Sequence, residues 1–302
     1  MSLRPVLQSD KFIVTSEVGP PKGVDMSHVL EETKLLATRV DGINVTDIQA
    51  AAMRVGSIAT CHLVKDAGAE PVLQMVTRDR NRLALQSDLL SAWILGIENV
   101  LCLTGDHPVL GDHKGAKPVY DLDSVQLLRV AKGLNEGHDM MGNELEGKPD
   151  FCLGAVVSPG ANPIEMQIMK LEKKVEAGAE FIQTQAVYDV NIFAGFMDKV
   201  KHLNVPILAG IVLLKSAGMA RYMNANVAGV TVPDDLIARM AAAGAADKQA
   251  KEKGEKGGNA VRTSIEIAAD LIRELKPLCR GVHLMPLGWG HHVPKILEQA
   301  GL

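Results

Sequence analysis

Hydrophobic residues in this chain fall into short runs rich in β-branched side chains, separated by longer segments with helical spacing. Gly, Pro, Asp or Asn flank each run, and these residues commonly stand at strand ends. The runs predict eight strands, at residues 12–18, 42–46, 71–76, 99–103, 152–157, 181–184, 206–212 and 281–285. Their near-continuous hydrophobicity is typical of a parallel sheet covered by helices, because neither face of such a sheet meets water.

Between the runs, apolar residues recur every three or four positions, which gives a helix one buried side. The pattern is clear at residues 26–38, 82–95 and 165–177. Strands that alternate with helices in this way predict a closed parallel (β/α)8 barrel, built by a single domain over residues 1–302. A doubly wound open sheet is the alternative that the same alternation allows.

The segment after the seventh run contains additional helical sequence. It predicts a helix to about Asn224, a loop to Pro233 and a second helix to about Ala243, since Pro and acidic residues favour a helix start. The barrel is therefore expected to carry an extra helix after strand 7. Residues 246–259, rich in Lys, Glu and Gly, are expected to form a solvated helix end and a mobile turn.

Composition narrows the class of protein. The 302 residues are 47% hydrophobic and 23% charged, which is normal for a globular chain and unlike a disordered one. A net charge of −4 argues against nucleic-acid binding. The longest apolar run, residues 205–214, is far shorter than the roughly 20 residues of a membrane span, and no apolar signal region opens the chain. We expect a cytoplasmic protein without a membrane span.

Four cysteines stand far apart, at positions 61, 102, 152 and 279. A metal or iron–sulfur site usually needs at least one close pair, because a short loop then presents two thiolates to one ion. The spacing favours small buried side chains in a reducing compartment. His291 and His292 also make a poor metal pair, since neighbouring residues on a helix point apart. No metal site is expected in this chain.

Polar residues gather where the predicted strands end. In a (β/α)8 barrel the carboxyl ends of all strands meet at one face, and active sites lie there. Strands 1, 2, 3, 4, 6 and 8 bring acidic, amide, hydroxyl or imidazole groups towards that face: Glu17, Thr46, Asp47, Gln74, Thr104, Asp106, Gln183, Thr184, Gln185 and His283. Each alone could be a salt-bridged, buried or turn residue. Together they predict a functional site.

The residue types at this face indicate a kind of chemistry. Glu17 stands between an apolar strand and a Pro-Pro corner, where a carboxyl removed from water keeps its proton longer, as a general acid must. Asp106 offers a second carboxylate, and Gly105 lets the backbone approach a flat ligand. Thr and Gln provide neutral hydrogen-bond partners for a heteroaromatic ring. Because hydrolase, zinc-protease, P-loop and dinucleotide motifs are missing, we expect ring chemistry on a flavin or a pterin.

Several segments resemble one known enzyme family. They are Glu17-Val-Gly-Pro-Pro-Lys-Gly, Leu103-Thr-Gly-Asp-His-Pro, and the segments at residues 178–189, 206–214 and 281–286. In order and spacing they are similar to the 5,10-methylenetetrahydrofolate reductases, from about residue 10 to the C-terminus. The similarity is greatest to the branch found in acetogen-type anaerobes and in reductases fused to homocysteine methyltransferase domains.

The resemblance implies a (β/α)8 barrel that carries a flavin at its C-terminal face. It also implies reduction of 5,10-methylenetetrahydrofolate to 5-methyltetrahydrofolate by hydride transfer from flavin N5, as in the Wood-Ljungdahl pathway. Glu17 resembles the general acid that opens the folate ring at N10. Asp106 resembles the carboxylate beside flavin and pterin, and Gln185 resembles the amide that holds the pterin.

A set of cofactor contacts is implied as well. The positions that line the isoalloxazine are Thr46, Gln74, Thr104 and Gly105, with Asp106 beside them. Lys174, on the helix before strand 6, resembles the lysine that reaches the flavin phosphate. Tyr120 and Asp121 follow strand 4, where the family contacts the rest of the cofactor. Whether the flavin is FMN or FAD stays open.

Departures from the enterobacterial type concern the electron donor. Those members carry His at the position of Gln74, aromatic residues at Ala186-Val187, and a Phe where this chain has Lys215-Ser216-Ala217. Fewer aromatic faces leave less stacking surface for a nicotinamide, so weak use of NADH is expected. Acetogen-type relatives pair with a small zinc and iron–sulfur subunit. A partner of that kind, or another electron-donor protein, and an oligomeric assembly are therefore implied.

Two other functions are compatible with the residues. One is a flavin-free folate- or corrinoid-linked methyltransferase barrel, which recognises a pterin but needs no isoalloxazine contacts. The other is a non-catalytic subunit of an electron-transfer assembly. Flavin absorbance of the purified protein distinguishes the first function, and folate turnover distinguishes the second.

Overall fold

All eight predicted strands form, and they pair in parallel and in sequence order. The computed structural model describes residues 2–302. β8 pairs with β1 and closes the sheet into a barrel. The predicted (β/α)8 barrel is confirmed, and the open-sheet alternative is wrong. The strands are β1 (Ile13–Val18), β2 (Gly42–Val45), β3 (Pro71–Val76), β4 (Asn99–Leu103), β5 (Cys152–Val157), β6 (Phe181–Ala186), β7 (Ile207–Val212) and β8 (Gly281–Met285).

Helices connect the strands and cover the outside of the barrel. The three helices predicted from apolar spacing correspond to α2, α4 and α6. The helices are α1 (Arg4–Gln8), α2 (Ser27–Leu36), α3 (Ser57–Asp66), α4 (Arg82–Ile94), α5 (Ser124–Glu136), α6 (Ile164–Glu176), α7 (Val190–Val200), α8 (Ala217–Asn226), α9 (Asp234–Glu252), α10 (Asn259–Leu275) and α11 (Val293–Ala300).

The connection between β7 and β8 holds three helices, α8, α9 and α10. The sequence pattern predicts the first two, but α10 is missing from that prediction. The start of a helix can often be recognised in the sequence by an N-cap residue whose side chain accepts a backbone hydrogen bond. The N-cap of α10 is Gly258, which has no side chain for this role. Instead, the carboxylate of Asp247 on α9 accepts hydrogen bonds from the N–H groups of Gly258, Asn259 and Ala260. This cap comes from another helix, so local sequence does not reveal it.

Alternate residues of the strands point into the barrel and fill it in layers. The lowest layer is apolar, and α1 packs Leu3 and Leu7 against it at the amino ends of the strands. The next layer is polar and buried, with Thr15, Gln183 and His283 among its members. This change from apolar to polar along the barrel axis places the chemistry at the carboxyl ends. The lowest layer consists of Ile13, Val72, Leu101, Cys152, Phe181 and Leu208.

Within residues 2–302, no helix is long and apolar enough to cross a membrane. The same residues contain no group of three or more His, Cys, Asp or Glu side chains arranged to hold a metal ion. The four cysteines are free, and three of them are buried. His291 and His292 lie in a short 3-10 turn directly before α11.

Candidate active site

A cavity of about 670 Å³ opens at the carboxyl ends of the strands. Its wall brings together Glu17 of β1, Asp106 after β4 and Gln185 of β6, which lie far apart in the sequence. β6 runs to Ala186, and the pairing register with β7 shifts just before its end, which sets Gln185 at an irregular point of the sheet. Eight other residues predicted at this face line the same wall: Asp47, Gln74, Thr104, Gly105, Lys174, Gln183, Thr184 and His283.

Glu17 is a buried carboxyl at the edge of this cavity, with 8% of its side chain exposed. Burial raises the pKa of Glu17 from 4.5 to about 7, and a hydrogen bond from the side chain of Gln49 acts in the opposite direction. His283 Nε2 lies 3.9 Å from Glu17 Oε2. Burial also lowers the pKa of His283 to about 3, so this ring is neutral and places no positive charge beside the carboxyl. Glu17 can therefore hold a proton near neutral pH.

A buried hydrogen-bond network lies beneath Glu17. Asn44 and Gln183 exchange two amide hydrogen bonds of 2.8 and 3.1 Å, and Gln183 Nε2 also donates to Thr15 Oγ1 at 3.1 Å. The Thr15 hydroxyl then has its own proton to give to His283 Nδ1, 2.9 Å away. When the Thr15 proton points to Nδ1, the proton of the neutral imidazole sits on Nε2, the atom nearer Glu17. The sequence located His283 at this face without revealing these partners.

The turn after β4 brings backbone to the cavity wall. Gly105 has a left-handed φ of +87°, which a glycine adopts without strain. A Cβ at this position would lie only 3.1 to 3.3 Å from side-chain atoms of Val76 and Arg78, so a larger residue would crowd these side chains. Tyr120 supports the turn from behind, because its hydroxyl donates to the carbonyl oxygen of Gly105 at 3.2 Å. Asp106 follows with an exposed side chain.

One end of the cavity is cationic. Lys174 is buried, and its Nζ donates to the carbonyl oxygen of Val156 at 2.6 Å. Burial lowers the pKa of Lys174 to about 8, so the ammonium form still dominates near neutral pH. Lys170, one helical turn earlier on α6, lines the same cavity and was missed by sequence reasoning. Its spacing of four residues from Lys174, which places both on one side of the helix, is the signal that could have found it.

Three predicted site residues are not part of the cavity wall. Thr46 is buried just beyond β2, and its Oγ1 has no hydrogen-bond partner among residues 2–302. Tyr120 reaches the site only through Gly105. The Asp121 carboxylate accepts hydrogen bonds from the backbone N–H and the guanidinium of Arg82, at 2.8 to 2.9 Å. Cofactor binding by these three residues stays a prediction.

Sequence reasoning also missed two residues of the wall that follow β2 and β3. Gln49 lies in a short turn after β2, and its bond to Glu17 is not visible in the sequence. Arg78 stands in the charged run Arg78-Asp79-Arg80, which has the pattern of a solvated turn. Its side chain is nevertheless only 2% exposed and lines the cavity. A charged residue buried at a strand end is seen only when the strands are assembled.

The raised pKa of Glu17 predicts how stability depends on pH. Because the folded-state pKa of about 7 lies above the ordinary 4.5, Glu17 favours the fold fully below pH 4.5, and this contribution is lost as pH rises through 7. The Glu17→Gln variant has no such titration. We expect its stability relative to wild type to rise by about 2.5 kcal/mol between about pH 5 and pH 8. Urea denaturation at both pH values measures this change, and a constant difference would contradict the raised pKa.

The closed (β/α)8 barrel and the polar cavity at the carboxyl ends of its strands place this chain among the barrel proteins whose active-site face is the carboxyl end. A sequence model described as methylenetetrahydrofolate reductase matches residues 2–301. The chain belongs to the methylenetetrahydrofolate reductase family, and the resemblance seen in its motifs is confirmed at the level of the family.

Individual relatives agree with this assignment. The chain is 26% identical over 247 residues to methylenetetrahydrofolate reductase 2 of Schizosaccharomyces pombe, a match that covers 76% of this chain and 35% of that protein. It is 26% identical over 206 residues to 5,10-methylenetetrahydrofolate reductase of Pectobacterium carotovorum, covering 66% of this chain and 63% of that protein. The match to the S. pombe protein thus spans only about a third of the relative's length.

Solved structures share the barrel. An uncharacterized protein from Clostridium thermocellum, which binds two copies of 5-methyl-5,6,7,8-tetrahydrofolic acid, superposes with a TM-score of 0.61 at 16% identity. That match covers 99% of this chain and 98% of the other. A 2,3-dimethylmalate lyase superposes with a TM-score of 0.52 at 11% identity, over 99% of this chain and 86% of the other. At such identities these matches establish the fold alone.

Proposed function

We propose that this chain catalyses the flavin-dependent reduction of 5,10-methylenetetrahydrofolate to 5-methyltetrahydrofolate. The observation that carries the proposal is a buried carboxyl, Glu17, whose pKa is raised to about 7 at the edge of a large polar cavity. Membership of the methylenetetrahydrofolate reductase family supports the choice of reaction. The C. thermocellum neighbour, which binds a methylated folate, supports the choice of substrate.

The residues of the cavity fit a flavin. Gln74 and Thr104 present an amide and a hydroxyl on the cavity wall. Such groups suit the carbonyl and ring-nitrogen edge of an isoalloxazine. Gly105 has no side chain to keep a ring from its backbone, and Lys170 and Lys174 provide positive charge for a phosphate. A bound flavin would supply the hydride that the one-carbon unit accepts.

Protein side chains would handle the proton and the folate. Glu17 donates its proton to N10 of the folate, the bond between N10 and the methylene carbon breaks, and the positive charge moves to the N5-methylene group. The Asp106 carboxylate stabilises that charge across the cavity. The Gln185 amide holds the pterin by hydrogen bonds to its ring edge. The hydride and the proton together balance the reduction of a methylene to a methyl group.

NADH is an unsuitable direct donor on this proposal. Ala186 at the end of β6 and Val187 after it are buried and offer no aromatic face. Trp289 lies after β8 and is not part of the cavity wall, and the ammonium of Lys215 sits 5.1 Å from the centre of its ring. We infer that electrons arrive from a separate protein, such as an iron–sulfur subunit, in an oligomeric assembly in the cytoplasm.

Reconstitution and anaerobic reduction test the proposed function. The purified chain, incubated with FMN or FAD, is expected to show flavin absorbance, to bleach slowly or not at all with NADH, and to bleach with a low-potential donor. Addition of 5,10-methylenetetrahydrofolate should then restore the oxidised spectrum and yield 5-methyltetrahydrofolate. A colourless protein that binds neither flavin would instead favour the methyltransferase alternative. Rapid bleaching by NADH in a stopped-flow instrument would overturn the inference about the donor.

A further inference from the structure

The turn that follows β2 has an unusual backbone. Ile48, Ala50 and Ala51 all have left-handed φ values, of 46°, 54° and 55°. Each non-glycine residue in this conformation costs about 1–2 kcal/mol, and a β-branched residue such as Ile48 is rarely found there. Ile48, Gln49 and Ala50 line the cavity. Contacts from the rest of the barrel must therefore hold the turn in place.

Arg78 makes contacts of this kind. Its Nη2 donates to the carbonyl oxygen of Ile48 at 3.2 Å, and its Nη1 donates to the carbonyl oxygen of Asp106 at 3.2 Å. Asp79 fixes the guanidinium by accepting from Nε at 3.0 Å and from Nη2 at 2.7 Å. A planar guanidinium can make these bonds at once, whereas the ammonium of a lysine is a single point charge.

Gly111 is a second point of contact between the turn after β2 and the turn after β4. A Cβ at Gly111 would lie 1.9 Å from the carbonyl oxygen of Ala51, so only glycine allows the backbones to approach this closely. In addition, Met53 N–H donates to Asp112 Oδ1 at 3.0 Å. The turn after β2 and the turn after β4 therefore form one packed unit, with Arg78 as its buried charged link.

We propose that Arg78 is a positioning residue, which fastens the left-handed turn after β2 to the turn after β4 and so holds Gln49 against Glu17. The inference rests on the proposed function of Glu17 as the acid. Arg78 donates on one side to the residue that precedes Gln49 and on the other to Asp106. One buried side chain thus links the supports of the two carboxyl groups that the reaction requires.

The inference predicts a change in Glu17 that a general loss of stability would not cause. Gln49 donates to Glu17 and lowers the pKa of its carboxyl. If Arg78 is lost, the turn relaxes, Gln49 leaves, and the pKa of Glu17 rises further because the hydrogen bond that lowers it is gone. His283 of β8 lies 3.9 Å from Glu17. The other charged groups on the cavity wall are Asp47, Asp106, Asp123, Lys170 and Lys174. The substitution replaces none of these side chains, although it removes a hydrogen bond to the backbone of Asp106.

Two variants of the full chain test this role, Arg78→Lys and Arg78→Met. Arg78→Lys keeps a positive charge near Asp79 and is the variant more certain to fold. The control is Arg239→Lys, which alters an arginine–aspartate pair between α9 and α10. Hydrogen exchange by mass spectrometry follows the peptide that covers residues 48–53. Carbon-13 NMR of glutamate-labelled protein follows the titration of Glu17, with its signal assigned by its loss in Glu17→Gln.

Both Arg78 variants are expected to exchange residues 48–53 about tenfold faster than wild type, with unchanged exchange in α9 and α10. The pKa of Glu17 should rise, and folate reduction should slow about tenfold because the acid is misplaced. Unchanged exchange and an unchanged Glu17 pKa in Arg78→Lys would overturn the inference, as would equally faster exchange throughout the chain. Normal folate turnover in Glu17→Gln, by contrast, would refute the acid role and leave the exchange result to decide the role of Arg78.

Discussion

Glu17→Gln is expected to stop folate reduction while a bound flavin remains reducible. Gln has nearly the shape of Glu and can keep a hydrogen bond to Gln49, but it carries no transferable proton at any working pH. Loss of a general acid usually costs about 10²–10⁴-fold in rate. Steady-state formation of 5-methyltetrahydrofolate measures the loss, and anaerobic photoreduction of the bound flavin checks that the other half of the reaction is intact.

Glu32→Gln is a suitable control for this substitution. Glu32 on α2 is also a buried carboxyl, 7% exposed, but it accepts a hydrogen bond from the N–H of Gly290 and is not part of the cavity wall. Its variant should retain folate turnover. If Glu17→Gln instead reduces folate at a rate near that of wild type, the carboxyl of Glu17 is not the proton source.

Asp106→Asn is expected to slow folate reduction by about 10–100-fold, because a neutral amide stabilises a cationic folate less well than a carboxylate. The substitution should also raise the midpoint potential of the bound flavin, since removal of a negative charge near the ring favours the electron-rich reduced form. A shift of about 30 mV corresponds to about 1.4 kcal/mol for a two-electron couple. Spectroelectrochemical titration of the flavin measures it.

Asp25→Asn removes a charge from the same face of the barrel without touching the cavity. Asp25 is an exposed residue of the turn after β1, where its carboxylate accepts hydrogen bonds from Ser27. Charge removal at such an exposed position is screened by solvent and salt, so the potential should stay at the wild-type value. Equal shifts in the two variants, or no shift in Asp106→Asn, would show that Asp106 does not lie beside the flavin.

The barrel and the face that carries the site could be predicted because both follow from local pattern. Near-continuous apolar runs rich in β-branched residues, flanked by Gly and Pro, located the strands, and the rule that active sites lie at their carboxyl ends selected Glu17, Asp106 and Gln185. The structure brings these three to one cavity wall. The family motifs added the expected roles, which no sequence pattern alone could supply.

The parts that escaped prediction depend on contacts between distant segments. The Asp247 carboxylate starts α10 from another helix, so no capping residue precedes that helix in the sequence. Arg78 has the sequence context of an exposed charge, and its burial follows from the meeting of two turns. The tautomer of His283 is set by a chain of partners that ends at Asn44, more than two hundred residues away. Such features need the assembled barrel.

The short helix α1 determines where a ligand can enter and leave the barrel. Leu3 and Leu7 pack across the amino end of the barrel, so a ligand in the cavity enters and leaves at the carboxyl end. A folate that enters there and an electron-donor protein that docks near the flavin would then meet at the same end of the barrel. The donor protein would have to leave the opening uncovered, or separate from it, for folate to exchange.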